Sequence, residues 1–264
     1  AASDVYKRQG LTIVDHRGAL VRCSPVEQHD LFAAARLGLG AFGIVVQVEM
    51  AVVPAYRLAE RSWRSGYDDL RPEIEALTDR HRHAEFYWYP HRDIAFVKTI
   101  DRTDAPAEYP LGDEGHRVAW SYEVLPSHRD RLHTETEFAV PLDRSLACLD
   151  EIVALLRSDF PDLRWPIEYR TAAADDVWLS PAYRCDTATI SVHQGIDADD
   201  GPLFAACERI FRRYDARPHW GKLHGFGADD LAAAHPRWAD WWARRDAVDP
   251  DGVFLNDVLA GWRP

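Results

Sequence analysis

Pro166-Ile167-Glu168-Tyr169-Arg170-Thr171 and Thr187-Ala188-Thr189-Ile190-Ser191-Val192-His193 are the two stretches whose period decides the fold. In both, polar and apolar residues alternate with a period of two, the pattern of a strand with one apolar and one polar face. Glu168 and Arg170 then leave one face while Ile167 and Tyr169 leave the other; Thr189, Ser191 and His193 likewise oppose Ile190 and Val192. The segment between them begins Ala172-Ala173-Ala174-Asp175-Asp176 and ends Ser180-Pro181, and it reads as a structural loop with a buried Trp178.

Working outward, residues 137–140 are strand-like, and Leu142, Leu146, Leu149, Val153 and Leu156 recur at spacings of four and three, an amphipathic helix. Further helices are expected near 202–214 and, rich in Trp, near 236–246. Upstream, a polar helix near 68–80 precedes strands at 85–89, 94–98 and 118–124, with an acidic, proline-bearing loop over 101–116. At the start, residues 11–15 and 20–23 flank His16-Arg17-Gly18-Ala19 as a hairpin, a short helix covers 31–37, and an apolar strand from Ile44 stops at Pro54. Strands and helices without a regular short βαβ period indicate an α+β fold of antiparallel sheets flanked by helices. Two rounds of two strands plus a helix suggest an internal repeat.

With 264 residues and 47% hydrophobic content, the chain can fill one large core or two small ones. Its net charge of -12 argues against a general nucleic-acid or anionic-membrane surface. Cys23, Cys148, Cys185 and Cys207 show no Cys-x-x-Cys spacing, which suggests neither a zinc site nor a disulfide framework and fits a reducing cytoplasm. The sequence has neither an apolar run long enough for a membrane helix nor a signal-peptide pattern. Residues 1–9 lack an initiator Met and any pattern that joins the following strand, and are read as a scar or truncation point outside the fold.

His219-Trp220-Gly221-Lys222 packs two candidate proton or anion handlers into four residues, bracketed by Pro218 and Gly221. It reads either as one wall of a site or as a buried aromatic with two solvated neighbours. Glu168 and Arg170 read equally as convergent site groups or as an ion pair on a solvated sheet face. His193 closes its strand either as a hydrogen-bonded structural residue or as a pocket residue. Gly38-Leu39-Gly40-Ala41-Phe42-Gly43 is a cofactor-loop candidate, or a helix end followed by tight-turn residues. His81 and His83 near His91, and His128 near His133, lack a carboxylate or cysteine at a recognised ligand offset, and no metal site is expected.

Taken together, Gly38 to Val45, Glu168-Tyr169-Arg170 with Ala174 to Ser180, Arg217 to Lys222, and Asp249-Pro250-Asp251-Gly252-Val253-Phe254-Leu255-Asn256 resemble the aldonolactone oxidase family of FAD-linked oxidoreductases. That family includes gulonolactone, arabinonolactone and alditol oxidising enzymes. The resemblance implies a C-terminal remnant of an FAD-binding domain over 10–56 and a substrate (cap) domain over 57–264. It also implies oxidation of a sugar 1,4-lactone or alditol by hydride transfer to flavin, with oxygen as acceptor. Glu168, Arg170 and Lys222 are implied as catalytic and substrate-binding, with His193 lining the same pocket; His219, Gly40, Gly43 and Ile44 are implied to contact the FAD. The glycine-rich pyrophosphate loop and flavin-linking histidine of the family are not found in this sequence, so an N-terminal FAD-binding domain is expected as a missing partner. The alternative reading is a non-catalytic polyol or sugar-acid binding protein that keeps the same pocket.

Overall fold

The computed structural model describes residues 7–126 and 131–264. In chain order the described elements are β1 (Arg8–Val14), β2 (Leu20–Cys23), α1 (His29–Ala35), β3 (Ile44–Met50), β4 (Arg57–Gly66), α2 (Tyr67–Leu70), α3 (Ile74–Arg80), β5 (His83–Tyr89) and β6 (Ile94–Thr103). They continue with β7 (Val118–Trp120), α4 (Ser121–Val124), β8 (His133–Pro141), α5 (Leu142–Asp159), β9 (Ile167–Ala172), β10 (Thr187–Gly195) and α6 (Gly201–Arg213). The last are β11 (Arg217–Pro218), α7 (Ala228–Ala234), α8 (Trp238–Val248) and α9 (Asp257–Gly261). The class is α+β, with both sheets antiparallel and helices alongside, as the alternation and spacing indicate.

The described residues divide into two compact units. The first holds those up to Val53 together with Ala173–Cys185 and Gly225–Pro264; the second holds Pro54–Ala172 and Asp186–His224. The break between the units falls after Val53, and the first unit joins the C-terminal forty residues and the Trp178 loop to the N-terminal strands. Packing of indoles explains this: Trp241 is fully buried, meets Phe42 edge-on at 5.2 Å and donates from Nε1 to Leu37 O at 3.2 Å. Trp178 is buried in the same unit, with the Arg237 guanidinium 4.4 Å from its ring centre.

In the first unit the sheet order is β2-β1-β3. The expected hairpin forms, closed by Asp15, whose Oδ1 accepts from Arg17 N and Ala19 N. Arg8 and Gln9, assigned from sequence to the segment outside the fold, belong to β1, where Arg8 pairs with Met50; residues 1–6 of that segment lie outside the described residues. Every residue of β3 is exposed, including Ile44, Val45, Val46 and Val48.

The second unit is an antiparallel sheet in the order β11-β8-β10-β9-β5-β6-β4-β7. Its two faces differ as the period of two requires. One carries Phe138 and Val140, Ile190 and Val192, Ile167 and Tyr169, Phe86 and Trp88, and Val97, all buried. Helices α5 and α6 pack against β8 on this core, α5 through Cys148, Leu149, Ile152, Val153 and Leu156, and Phe211 of α6 stacks on Phe138 at 4.6 Å. Each such side chain contributes about 1.5–3 kcal/mol of gross burial. The opposite face is polar, and a small core of Leu58, Ile100, Ala119 and Val124 closes its β4–β7 end.

Three of the elements that differ from their sequence reading have a local cause. Pro72, which cannot donate a backbone hydrogen bond, splits the helix expected over 68–80 into α2, a 3-10 turn and α3. The strand expected over 118–124 ends at Trp120, because Glu123 accepts from Trp120 N at 3.1 Å and turns the chain into α4. Strand β8 begins at His133, four residues before the expected start, since the polar residues of 133–136 occupy both faces and carry no apolar period.

Candidate active site

Strand β8 supplies two buried carboxylates two residues apart, Glu135 and Glu137, on the polar face of the second unit's sheet. Register places Ser191 and His193 of β10 opposite Glu137 and Glu135, Glu168 of β9 opposite Ser191, and Arg170 opposite Thr189. Arg170 Nη2 donates to Glu137 Oε2 at 3.1 Å, and its Nη1 lies 3.3 Å from Glu168 Oε1. Ser191 Oγ donates to Glu137 Oε2 at 2.7 Å. Glu168 is 1% exposed while the Arg170 side chain is 44% exposed, so the pair joins a buried carboxylate to a half-exposed guanidinium and is not a pair of two solvated groups.

Lys222 reaches the same face by another route. Strand β11 pairs Arg217 with Ala139 and Pro218 with Phe138; beyond it His219 N donates to Glu137 O at 2.9 Å and Leu223 N to Glu135 O at 3.0 Å. The loop therefore hangs from the backbone of the very residues whose carboxylates matter. Lys222 Nζ hydrogen-bonds Glu135 Oε2. Gly221 N donates to His219 Nδ1 at 3.1 Å, and a Cβ on Gly221 would sit 3.3 Å from His219 Cε1, so a bare Cα lets the imidazole fold back over the loop. Two cations, Lys222 and Arg170, are thus each fixed by a buried carboxylate from one strand.

Burial pushes the Glu135 carboxyl upward, but the hydrogen bond from Lys222 and the neighbouring His193 outweigh it and hold the pKa at about 2, below the usual 4.5. Burial lowers the Arg170 pKa, and Glu168 and Glu137 reverse this, leaving it raised. Burial lowers that of His219, favouring the neutral imidazole. A carboxylate depressed in the folded state contributes stability that is complete above its unfolded pKa and is lost as pH falls through its folded one. Wild-type protein is therefore expected to lose melting temperature between about pH 5 and about pH 2 more steeply than Glu135→Gln, in which this titration is absent. Parallel melting curves for the two proteins would remove the Glu135–Lys222 pair from the acid response.

The imidazole of His193 is 2% exposed; its Nδ1 donates to Pro166 O at 2.9 Å and its Nε2 lies 3.6 Å from Glu135 Oε1. Among the described residues, His133, Glu135 and His193 form a group whose potential ligand atoms lie within 4.8 Å of one another. Lys222 bonds the same carboxylate, and an ammonium there opposes a dication. His128, paired with His133 in the sequence, lies outside the described residues.

The site therefore joins Glu168, Arg170, His193, His219 and Lys222 in one unit. Gly40, Gly43 and Ile44 belong to the other. Gly43 has φ +125°, and a Cβ there would overlap Val14 O and Ile13 Cγ2, so close backbone approach to β1 accounts for it. Glu135 is absent from the sequence reading, Glu137 enters it only as the first residue of a strand, and Ser191 only as part of a polar face. Their signal is the run His133-Thr134-Glu135-Thr136-Glu137, two acids with a period of two directly before a buried apolar strand half.

The D-arabinono-1,4-lactone oxidase family profile matches residues 48–116 and 112–261. The chain is 31% identical to the L-gulono-1,4-lactone dehydrogenase of Mycobacterium tuberculosis over 271 residues, covering 88% of this chain and 63% of that protein. It is 27% identical to an alditol oxidase of a Streptomyces species, covering 94% of this chain and 65% of that protein. The chain thus spans under two thirds of the length of either relative. A crystal structure of the cholesterol oxidase of Brevibacterium sterolicum superposes with a TM-score of 0.84 at 16% identity, over 98% of this chain and 69% of that one, a likeness of fold. With the profile covering most of its length, the chain belongs to the D-arabinono-1,4-lactone oxidase family.

Proposed function

We propose that this chain is the substrate-holding part of an FAD-dependent oxidoreductase that oxidises a CH–OH group of a sugar 1,4-lactone or alditol. One observation carries the reading: Lys222 and Arg170 stand on one polar sheet face, each locked by a carboxylate of β8. Oxidation of a carbinol removes a hydride and a proton and places negative charge on oxygen, which two fixed cations stabilise without reorganising at the moment of reaction. Glu137 and Glu135 aim these cations, Ser191 aims Glu137, and Glu168 anchors Arg170 and offers an acceptor to a substrate hydroxyl. Bound flavin would supply the hydride acceptor.

Part of this chain fits such a cofactor. The cations and the neutral imidazole of His219 suit an electron-accepting ring. The glycines of 38–43 suit a tight turn, because Gly43 is already occupied by Val14. We therefore assign the phosphate-holding part to an FAD-binding domain supplied from outside these 264 residues. The wholly exposed Val- and Ile-bearing β3 supports this, since an apolar edge strand calls for a cover. Four unbridged cysteines support a reducing compartment such as the cytoplasm. Among the described residues no helix is long and apolar enough to cross a membrane. The family and both relatives carry oxidase or dehydrogenase names, which disfavours a non-catalytic binding protein.

The deciding experiment mixes the full-length flavoprotein anaerobically with L-gulono-1,4-lactone, D-arabinono-1,4-lactone and xylitol and follows the flavin absorbance. Bleaching by at least one is expected; no bleaching by any would overturn the reading. For the 264-residue chain alone, substoichiometric retention of FAD after gel filtration is expected. Tight one-to-one retention would show that it carries a complete flavin site.

A further inference from the structure

Beside the two cations, the polar face continues across β9 onto β5 and β6. Glu85 pairs in register with Arg170, Tyr87 with Glu168, and Lys98 with Glu85. Lys98 Nζ lies 2.5 Å from Glu85 Oε1, with the two side chains 19% and 22% exposed. These residues line a cavity of about 200 Å³ together with His83, Ile100, Leu125, Glu168 and Arg170. Arg170 therefore has one side toward Glu137 and Ser191 and the other toward this hollow.

We propose that this cavity is a distal subsite that takes the remote hydroxyl groups of a neutral polyol or of a lactone side chain, and so sets the preferred substrate length. The inference rests on the oxidation proposed above. The volume is below the roughly 300–1,000 Å³ of a pocket for a whole ligand, so it suits one end of a molecule whose other end lies on Lys222. Lys98 and Arg170 on the lining stand against Glu85 and Glu168, with His83 beside them and Glu114 3.8 Å from Lys98, a set with no excess of cations, which disfavours a phosphate or carboxylate. An ammonium has three donors and a carboxylate about four acceptor positions, more than the contacts of Lys98 with Glu85 and Glu114 use. A vicinal diol, each hydroxyl of which donates and accepts, matches that mixed set.

The test uses the full-length flavoprotein with glycerol and sorbitol, in wild type, Lys98→Met and the double variant Lys98→Met/Glu85→Gln, which removes both charges and orphans neither. The ratio of kcat/KM for sorbitol to that for glycerol is expected to fall about tenfold in both, the loss of one charge-assisted hydrogen bond. An unchanged ratio in both variants overturns the subsite. Saturation-transfer NMR of sorbitol on the 264-residue chain separates the two ideas. Sorbitol bound by wild type and released by both variants upholds the subsite even if the flavoprotein oxidises no alditol or lactone, and equal binding by all three proteins overturns it.

Discussion

Lys222→Ala in the flavin-loaded full-length protein is expected to lower kcat by about 10²–10³-fold, the usual cost of removing one preorganised donor from a developing oxyanion. The Michaelis constant should move far less, because the interaction is strongest when charge has built up on the substrate oxygen. The substitution also leaves Glu135, which is 6% exposed, without its ammonium. Lys222→Met combined with Glu135→Gln removes both charges and separates the two effects: the catalytic loss should persist while the stability loss shrinks. A turnover number unchanged from wild type in Lys222→Ala would remove Lys222 from the transition state.

Asp249→Ala carries the largest expected effect on stability. Asp249 and Arg245 are both buried, and Asp249 Oδ2 accepts from Arg245 Nη2 at 2.6 Å. The same carboxylate accepts from Val253 N and Phe254 N, each at 2.9 Å, and so holds the turn that follows α8. Burial pushes its pKa up, and the two backbone donors and Arg245 bring it below the ordinary value. Removing the acid leaves two amides unpaired and takes one of its two carboxylate partners from the buried guanidinium, whose Nη1 keeps Asp246 at 3.0 Å, at a cost of about 3 kcal/mol. Urea denaturation measures it, and a loss under about 1 kcal/mol would contradict the hub role. The closing Asp249-Pro250-Asp251-Gly252 stretch of the family resemblance thus has a structural reason in this chain, an anion that orders the turn after a Trp-rich helix.

Alternating side chains made β9 and β10 legible, and spacings of four and three made α5 legible, because these periods follow from backbone geometry alone. The same rule failed at 133–136. There Glu135 and Thr136 are both buried, and a strand whose two faces both carry polar residues shows no apolar period. It failed again at Ser121, where one carboxylate, Glu123, redirects the chain. Of the site, Glu168, Arg170, His193, His219 and Lys222 were readable as chemistry-bearing residues on strand faces or in a glycine-bracketed loop. Which carboxylate belongs to which cation was not readable, since Glu135 meets Lys222 across 87 residues and Glu137 meets Arg170 across 33.

By itself the sequence determined the fold class, the polar face of β9 and β10, and the family. The pairing of β8 with β10 and β11, the return of residues 225–264 to the N-terminal strands, and the opening of the β5–β6 hollow beside Arg170 were decided only by the tertiary structure. The physical reason is range. Backbone period and local capping act over a few residues, whereas a buried ion pair gains its strength from a dry surrounding that distant segments must assemble together.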